Sequence, residues 1–150
     1  MNIDLLKESI RKNEDLKLKP YYCPAGKLSI GYGRNLEGNG ISKSEAEFLL
    51  TNDLLSIKLL LVDKIKFFDR LDSLSQNVLI EMAYNMGVSK FLLFKKTLLL
   101  LSNGDFIGAS AEMLNSKWHK DFIAYAPNTK EDELRSSILS KQLQKGRLYV

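Results

Sequence analysis

Few residues in this sequence carry reactive chemistry of their own, and their spacing narrows what that chemistry is. There is one histidine, His119, and one cysteine, Cys23. Lying about a hundred residues apart, they cannot by themselves supply a zinc ligand set, so no metal is expected. A nucleophilic Cys–His pair needs only closeness in space. Nothing flanking either residue supports one, and His119 reads as a surface histidine. Gly31-Tyr32-Gly33 lacks the third glycine and the following helix of a dinucleotide motif, so no phosphate-cradling loop is read there. What remains is Glu14, at the exit of the first helix and facing a glycine-rich hairpin. A carboxyl so placed can give a proton to a leaving oxygen once a ligand desolvates it. Taken alone, however, a glutamate at a helix end is usually a solvated charge.

The elements that must position Glu14 follow from periodicity and caps. Ile3, Leu6 and Ile10 repeat at helical spacing and predict a helix ending near Asn13. From Leu18 to Asn35, alternation of Leu28, Ile30 and Tyr32 with Ser29, Gly31 and Gly33 predicts a turn and short strands. Gly38-Asn39-Gly40 reads as a closing loop. Ser42 and Glu45 then fit a capping box, opening a long helix through Ala46, Leu49, Leu54 and Ile57 towards Lys64. Further helices are expected over Asp72–Met86, Phe91–Ser102, Asp105–Ser116 and Thr129–Lys145. Thr129 or Asp132 would cap the last, and Gly146 would stop it. The fold class is therefore α+β and mostly helical: a small α+β unit, a long helix, then an all-helical unit.

Glu14-Asp15-Leu16-Lys17-Leu18-Lys19, Tyr21, Gly26 and Ser29-Ile30-Gly31-Tyr32-Gly33 resemble the catalytic segment of the phage-type lysozymes, glycoside hydrolase family 24. That family carries a Glu, eight residues, an Asp or sometimes a Cys, five residues, then a Thr. The same spacing here gives Glu14, Cys23 and Ser29. Ile41–Glu47 with Asn52-Asp53 is similar to the start of the family's interlobe helix, and Asp72-Ser73-Leu74 with Leu79–Gly87 to its central C-lobe helix. Phe94, Thr97, Ser116-Lys117-Trp118 and Pro127-Asn128 also match in type. The resemblance covers nearly the whole chain, with a shortened loop after Gly33 and a longer loop after Trp118.

It implies a two-lobe lysozyme-like domain over residues 1–150. The β-hairpin N-lobe would span about 13–42, the interlobe helix 43–64, and the C-lobe 65–150 together with helix 1–12. It also implies cleavage of the bond between N-acetylmuramic acid and N-acetylglucosamine, with no cofactor. Such cleavage needs a proton for the leaving oxygen and stabilisation of an oxocarbenium-like sugar. The resemblance makes Glu14 the general acid and Arg135 its orienting partner. Cys23 replaces the commoner Asp, either activating the attacking water or attacking the sugar as a thiolate, and the stereochemistry stays open. Ser29 keeps the hydroxyl of the family's Thr and can hold that water. Asn35, Tyr84, Asn85, Thr97 and Glu112 would line the glycan groove, although Asn35 and Glu112 differ in type from the best-known relative. Trp118 reads as core rather than as a sugar platform. Two rivals stand beside the hydrolase: a lytic transglycosylase, which has no use for Cys23, and a non-catalytic glycan-binding module.

Composition bounds the setting. The chain has 150 residues, 45% hydrophobic and 27% charged, and its mean hydropathy is −0.16, which fits a soluble chain with a real core. Apolar runs such as Leu59–Val62 and Leu98–Leu101 are far too short to span a bilayer, so no membrane insertion is expected. A net charge of +4, mostly from lysine, suits anionic surfaces. No basic run is dense enough to read as a nucleic-acid site. Peptidoglycan strands are thus the expected partner, met by a monomer. The N-terminus lacks an apolar signal core. Accumulation in the host cytoplasm is therefore expected, followed by holin-type release to the wall.

Overall fold

Asn2 opens helix α1 (Ile3–Asn13) by accepting the Leu5 N–H on its side-chain oxygen at 3.2 Å, satisfying one of the donors a helix start leaves free. Arg11 and Lys12 occupy the last turn, where cations offset the helix dipole. The chain leaves the helix at Glu14, which is extended and gives its N–H back to the Ile10 carbonyl. The computed structural model describes all 150 residues. It divides into two compact units, residues 1–50 and 51–150, with helix α3 (Lys43–Lys64) running through the division.

In the first unit, strands β1 (Lys17–Tyr22), β2 (Leu28–Gly31) and β3 (Arg34–Asn35) form an antiparallel sheet in sequence order. Tyr21 lies opposite Ser29 and Ser29 opposite Asn35, so Ser29 occupies the middle of the sheet. The β1–β2 turn closes through Gly26 N–H to the Cys23 carbonyl at 2.8 Å, with Pro24 leading it. Gly26 has φ +73°, a left-handed value that any side chain would strain. The segment expected as a loop around Gly38 is a single helical turn, α2 (Leu36–Asn39). Asn35 caps it by accepting the Gly38 N–H on Oδ1 at 3.0 Å. The capping box forms as expected. Ser42 Oγ accepts the Glu45 N–H at 3.2 Å, while Glu45 accepts the Ser42 N–H at 2.7 Å.

The second unit holds the apolar core. It comprises α4 (Ser73–Met86), α5 (Val88–Phe91), α6 (Lys95–Ser102), α7 (Phe106–Leu114), α8 (Lys117–Tyr125) and α9 (Arg135–Leu143). Helices α6 with α7, α7 with α9 and α4 with α9 pack around Leu79, Met82, Phe91, Leu101, Met113 and Leu143, all fully buried. Each such side chain contributes about 1.5–3 kcal/mol relative to leaving it in water. Asp72 caps α4 through the Ser75 N–H. Desolvation pushes its carboxyl upward, but the backbone N–H groups of Arg147 and Ser75 hold it below the usual range. The chain end is tied back by the Tyr149 N–H to the Arg70 carbonyl at 2.7 Å. Gly146 ends the last helical turn where a Cβ would collide with Ser75 Oγ and sit 2.7 Å from the Phe106 ring.

Three expectations need correction. The helix expected over Phe91–Ser102 is split into α5 and α6, because the chain turns at Leu92–Phe94 and restarts at Lys95. The longer loop expected after Trp118 is helix α8, capped by Ser116 Oγ and carrying a Lys117–Asp121 ion pair one turn apart. The last helix begins at Arg135 rather than Thr129, since Glu131–Glu133 forms a 3₁₀ turn and buried Leu134 is extended at ψ 141°.

Candidate active site

The first unit brings three of the expected residues to one small sheet. Glu14 is exposed, and its carboxylate lies over Gly33: a Cβ there would be 3.6 Å from Glu14 Oε2. Gly33 has φ +80°, so its backbone conformation favours glycine. Cys23 follows β1 at the hairpin turn, where its N–H donates to the Lys27 carbonyl at 3.0 Å. Its thiol is half-buried and is held below its ordinary pKa, first by the Lys27 backbone N–H and further by the Ala25 N–H and the Ser29 hydroxyl; desolvation opposes this. Ser29 is buried, with Oγ donating to the Lys27 carbonyl at 3.2 Å. Cys23 and Ser29 therefore share one hydrogen-bonded turn. Asn35 is committed to capping α2 through its oxygen. Arg34 donates to the Gly40 carbonyl at 2.8 Å and pairs with Glu45, bracing the turn after β3.

The second unit carries a separate open groove of about 530 Å³. Thr97, on α6, and Glu112, on α7, line it together, as do Phe94 and Trp118. Thr97 is buried, and its hydroxyl has no hydrogen-bond partner within the chain. Glu112 accepts a 2.7 Å bond from Lys96. Trp118 is half-buried, edge-on to Phe94 and Phe122 with ring centroids 6.3 and 5.3 Å away. It both packs on the core and walls the groove. Its Nε1 donates to Asn85 Oδ1 at 2.8 Å, which fixes the Asn85 side chain. Tyr84 is exposed beside it on α4. Arg135, at the first turn of α9, donates through Nε to Glu81 Oε1 at 2.8 Å.

His119 is not a surface histidine. It is 4% exposed, with Nδ1 bonded to Ser136 Oγ at 2.8 Å and Nε2 facing Glu131 Oε1 at 3.3 Å. Both ring nitrogens are occupied in stitching α8 to the start of α9, so the imidazole serves packing. The groove also contains what the sequence reading missed. Lys90, Lys95, Lys96 and Lys117 converge on it from three helices, a juxtaposition that no local pattern announces.

Comparison with known proteins places this geometry. Residues 11–126 match the family model described as phage lysozyme, a span that includes Glu14, Cys23, Ser29 and both groove-lining residues Thr97 and Glu112. The chain is also similar to an endolysin of Acyrthosiphon pisum secondary endosymbiont phage 1, 35% identical over 146 residues that cover 91% of this chain and 90% of that protein. A family match over most of the chain, together with a relative of similar length, assigns it: this protein belongs to the phage lysozyme family.

Proposed function

We propose that this protein is a peptidoglycan hydrolase, a muramidase that cuts the β-1,4 bond between N-acetylmuramic acid and N-acetylglucosamine and so lyses the bacterial wall. The observation that carries the proposal is the Glu14 carboxylate set over Gly33 in a phage lysozyme whose sheet also bears Cys23 and Ser29. Glu14 gives its proton to the leaving oxygen, and the bound glycan favours the protonated form by excluding water. Cys23 then serves the second half of the reaction. Its thiolate is favoured by the turn's N–H groups, and it either takes a proton from the attacking water or attacks the sugar itself. Ser29 positions that water. Tyr84, Asn85, Thr97 and Glu112 contact the substrate, and Asn35 shapes the site's edge through α2. No helix is long and apolar enough to cross a membrane; the enzyme reaches the wall after release, which a holin-type pore would provide.

Mass spectrometry of fragments released from purified peptidoglycan tests this, with Glu14→Gln as control. Reducing-end muramic acid is expected, with the variant slower by about 10²–10⁴-fold, the range general acids supply. Anhydro-muramic ends would instead make the enzyme a transglycosylase and leave Cys23 without a role.

A further inference from the structure

The groove of the second unit carries more positive charge than its own structure uses. Four ammonium groups line it, from Lys90, Lys95, Lys96 and Lys117. Lys96 is paired with Glu112 at 2.7 Å, and Lys117 with Asp121 at 2.8 Å. Lys90 and Lys95 have no carboxylate within ion-pair distance, and both are exposed. Two uncompensated cations thus border an aromatic wall, next to the buried and unpartnered Thr97 hydroxyl. Unpaired lysines scattered over a surface would need no explanation. These two flank a concavity that already lacks one hydrogen-bond partner, so an anionic group with an oxygen to spare would complete both deficits.

We propose that this groove selects carboxylate-bearing peptidoglycan, with Lys90 and Lys95 as specificity-determining residues that favour stem peptides with free carboxylates over amidated ones. The proposal rests on the muramidase reading for its substrate. The glycan backbone between N-acetylmuramic acid and N-acetylglucosamine is uncharged, so the peptide carboxylates are the charges that such a wall presents to the groove. Lys96 and Lys117 stay with their internal partners and hold the groove's shape. Lys90 and Lys95 are the free donors, compact charges suited to carboxylates that approach from several directions.

Binding separates this proposal from the cleavage chemistry. The Glu14→Gln protein, which retains bound wall, is sedimented with sacculi stripped of covalently attached phosphate polymers. Half of the sacculi carry free carboxylates and half have been amidated with carbodiimide and ammonia. Preference for the carboxylate form by about three- to tenfold is expected, as two exposed charge pairs allow, and it should shrink as salt is raised. Lys90→Gln/Lys95→Gln should abolish the preference, whereas Lys90→Arg/Lys95→Arg should keep most of it. Equal binding to both sacculi, or an unchanged preference in the Gln variant, overturns the proposal. So does a preference that appears only when phosphate polymers are left in place, which would make the ligand a phosphate. If native sacculi yield no fragments with the wild-type protein, the hydrolase reading falls, and the sedimentation result still decides the groove.

Discussion

The two units are held together by different physics. Between residues 1 and 50 Ser29 is the single buried side chain, while every buried hydrophobic residue lies in the second unit. The first unit keeps its shape through the sheet ladder, the Asn2 and Asn35 caps, the Ser42–Glu45 box and the tie from Arg34 to the Gly40 carbonyl. It also carries Glu14 and Cys23. The second unit is a packed helical core with one groove on its flank. The comparison teaches that the proposed reactive groups sit where stability is local and polar. The bulk of the folding energy is stored elsewhere. Segments with few buried apolar contacts open most readily, which suits a site that must admit a polymer.

The largest expected effect lies in the first unit and touches activity rather than stability. Cys23→Ala should lower the rate of fragment release by about 10²–10⁴-fold if the thiol completes the reaction, with the thermal midpoint nearly unchanged. The pH profile sharpens this. The Cys23 pKa is lowered, so folding favours the thiolate more than an unperturbed thiol would. A rate that needs the thiolate therefore climbs with rising pH through that depressed pKa, with its midpoint below the ordinary thiol value of about 8.5. Stability follows the same sign: the contribution is present above the ordinary thiol pKa and is lost as pH falls through the depressed one. Cys23→Asp, ionised throughout the neutral range, should remove the limb from the rate profile. A wild-type rate that stays flat from pH 6 to 9 would take Cys23 out of the chemistry.

Next in size is an effect on stability alone. Phe91 is fully buried in the second unit's core, and Phe91→Ala should cost about 3–5 kcal/mol in urea unfolding. Leu18, apolar but 80% exposed on β1, should change stability by less than about 0.5 kcal/mol when cut to alanine. If Leu18→Ala costs as much as Phe91→Ala, the first unit has a hidden core and the contrast between the units collapses.

The same division explains what could be read from the sequence. Helices α1 and α3 and the capping box depend on neighbours within a turn, so periodicity and cap residues locate them. The Glu14–Cys23–Ser29 spacing is likewise local to one hairpin, and the family pattern carries it. The misses depend on distant partners. His119 is buried because Ser136 and Glu131, 17 and 12 residues on, close around it, and a lone histidine gives no local sign of that. The start of α9 is set by Leu134 turning inward, whereas Glu131-Asp132-Glu133 looks locally like a helix entrance. Helix α8 carries Trp118 and Phe122 one turn apart, a short signal that polar neighbours obscure. The lysines of the groove lie on separate elements that meet only after folding.

The smallest expected effect makes the sharpest test, because the second unit contains two buried hydroxyls without a partner. Ser75 Oγ is packed under Gly146, away from the groove, and Thr97 Oγ1 lines the groove. An unsatisfied buried polar group costs stability, so Ser75→Ala and Thr97→Val should each raise it, by about 1 kcal/mol. Both changes keep the backbone and remove only the orphaned oxygen or replace it with a methyl. They should part company in function. Thr97→Val should weaken binding to sacculi by several-fold, about what one lost neutral hydrogen bond implies, while Ser75→Ala should leave binding at the wild-type level. If both variants gain stability and both bind normally, the Thr97 orphan is a packing fault like Ser75, and the groove does not use it. If only Thr97→Val loses binding, then the well-packed unit leaves a hydroxyl without an internal partner where it meets substrate.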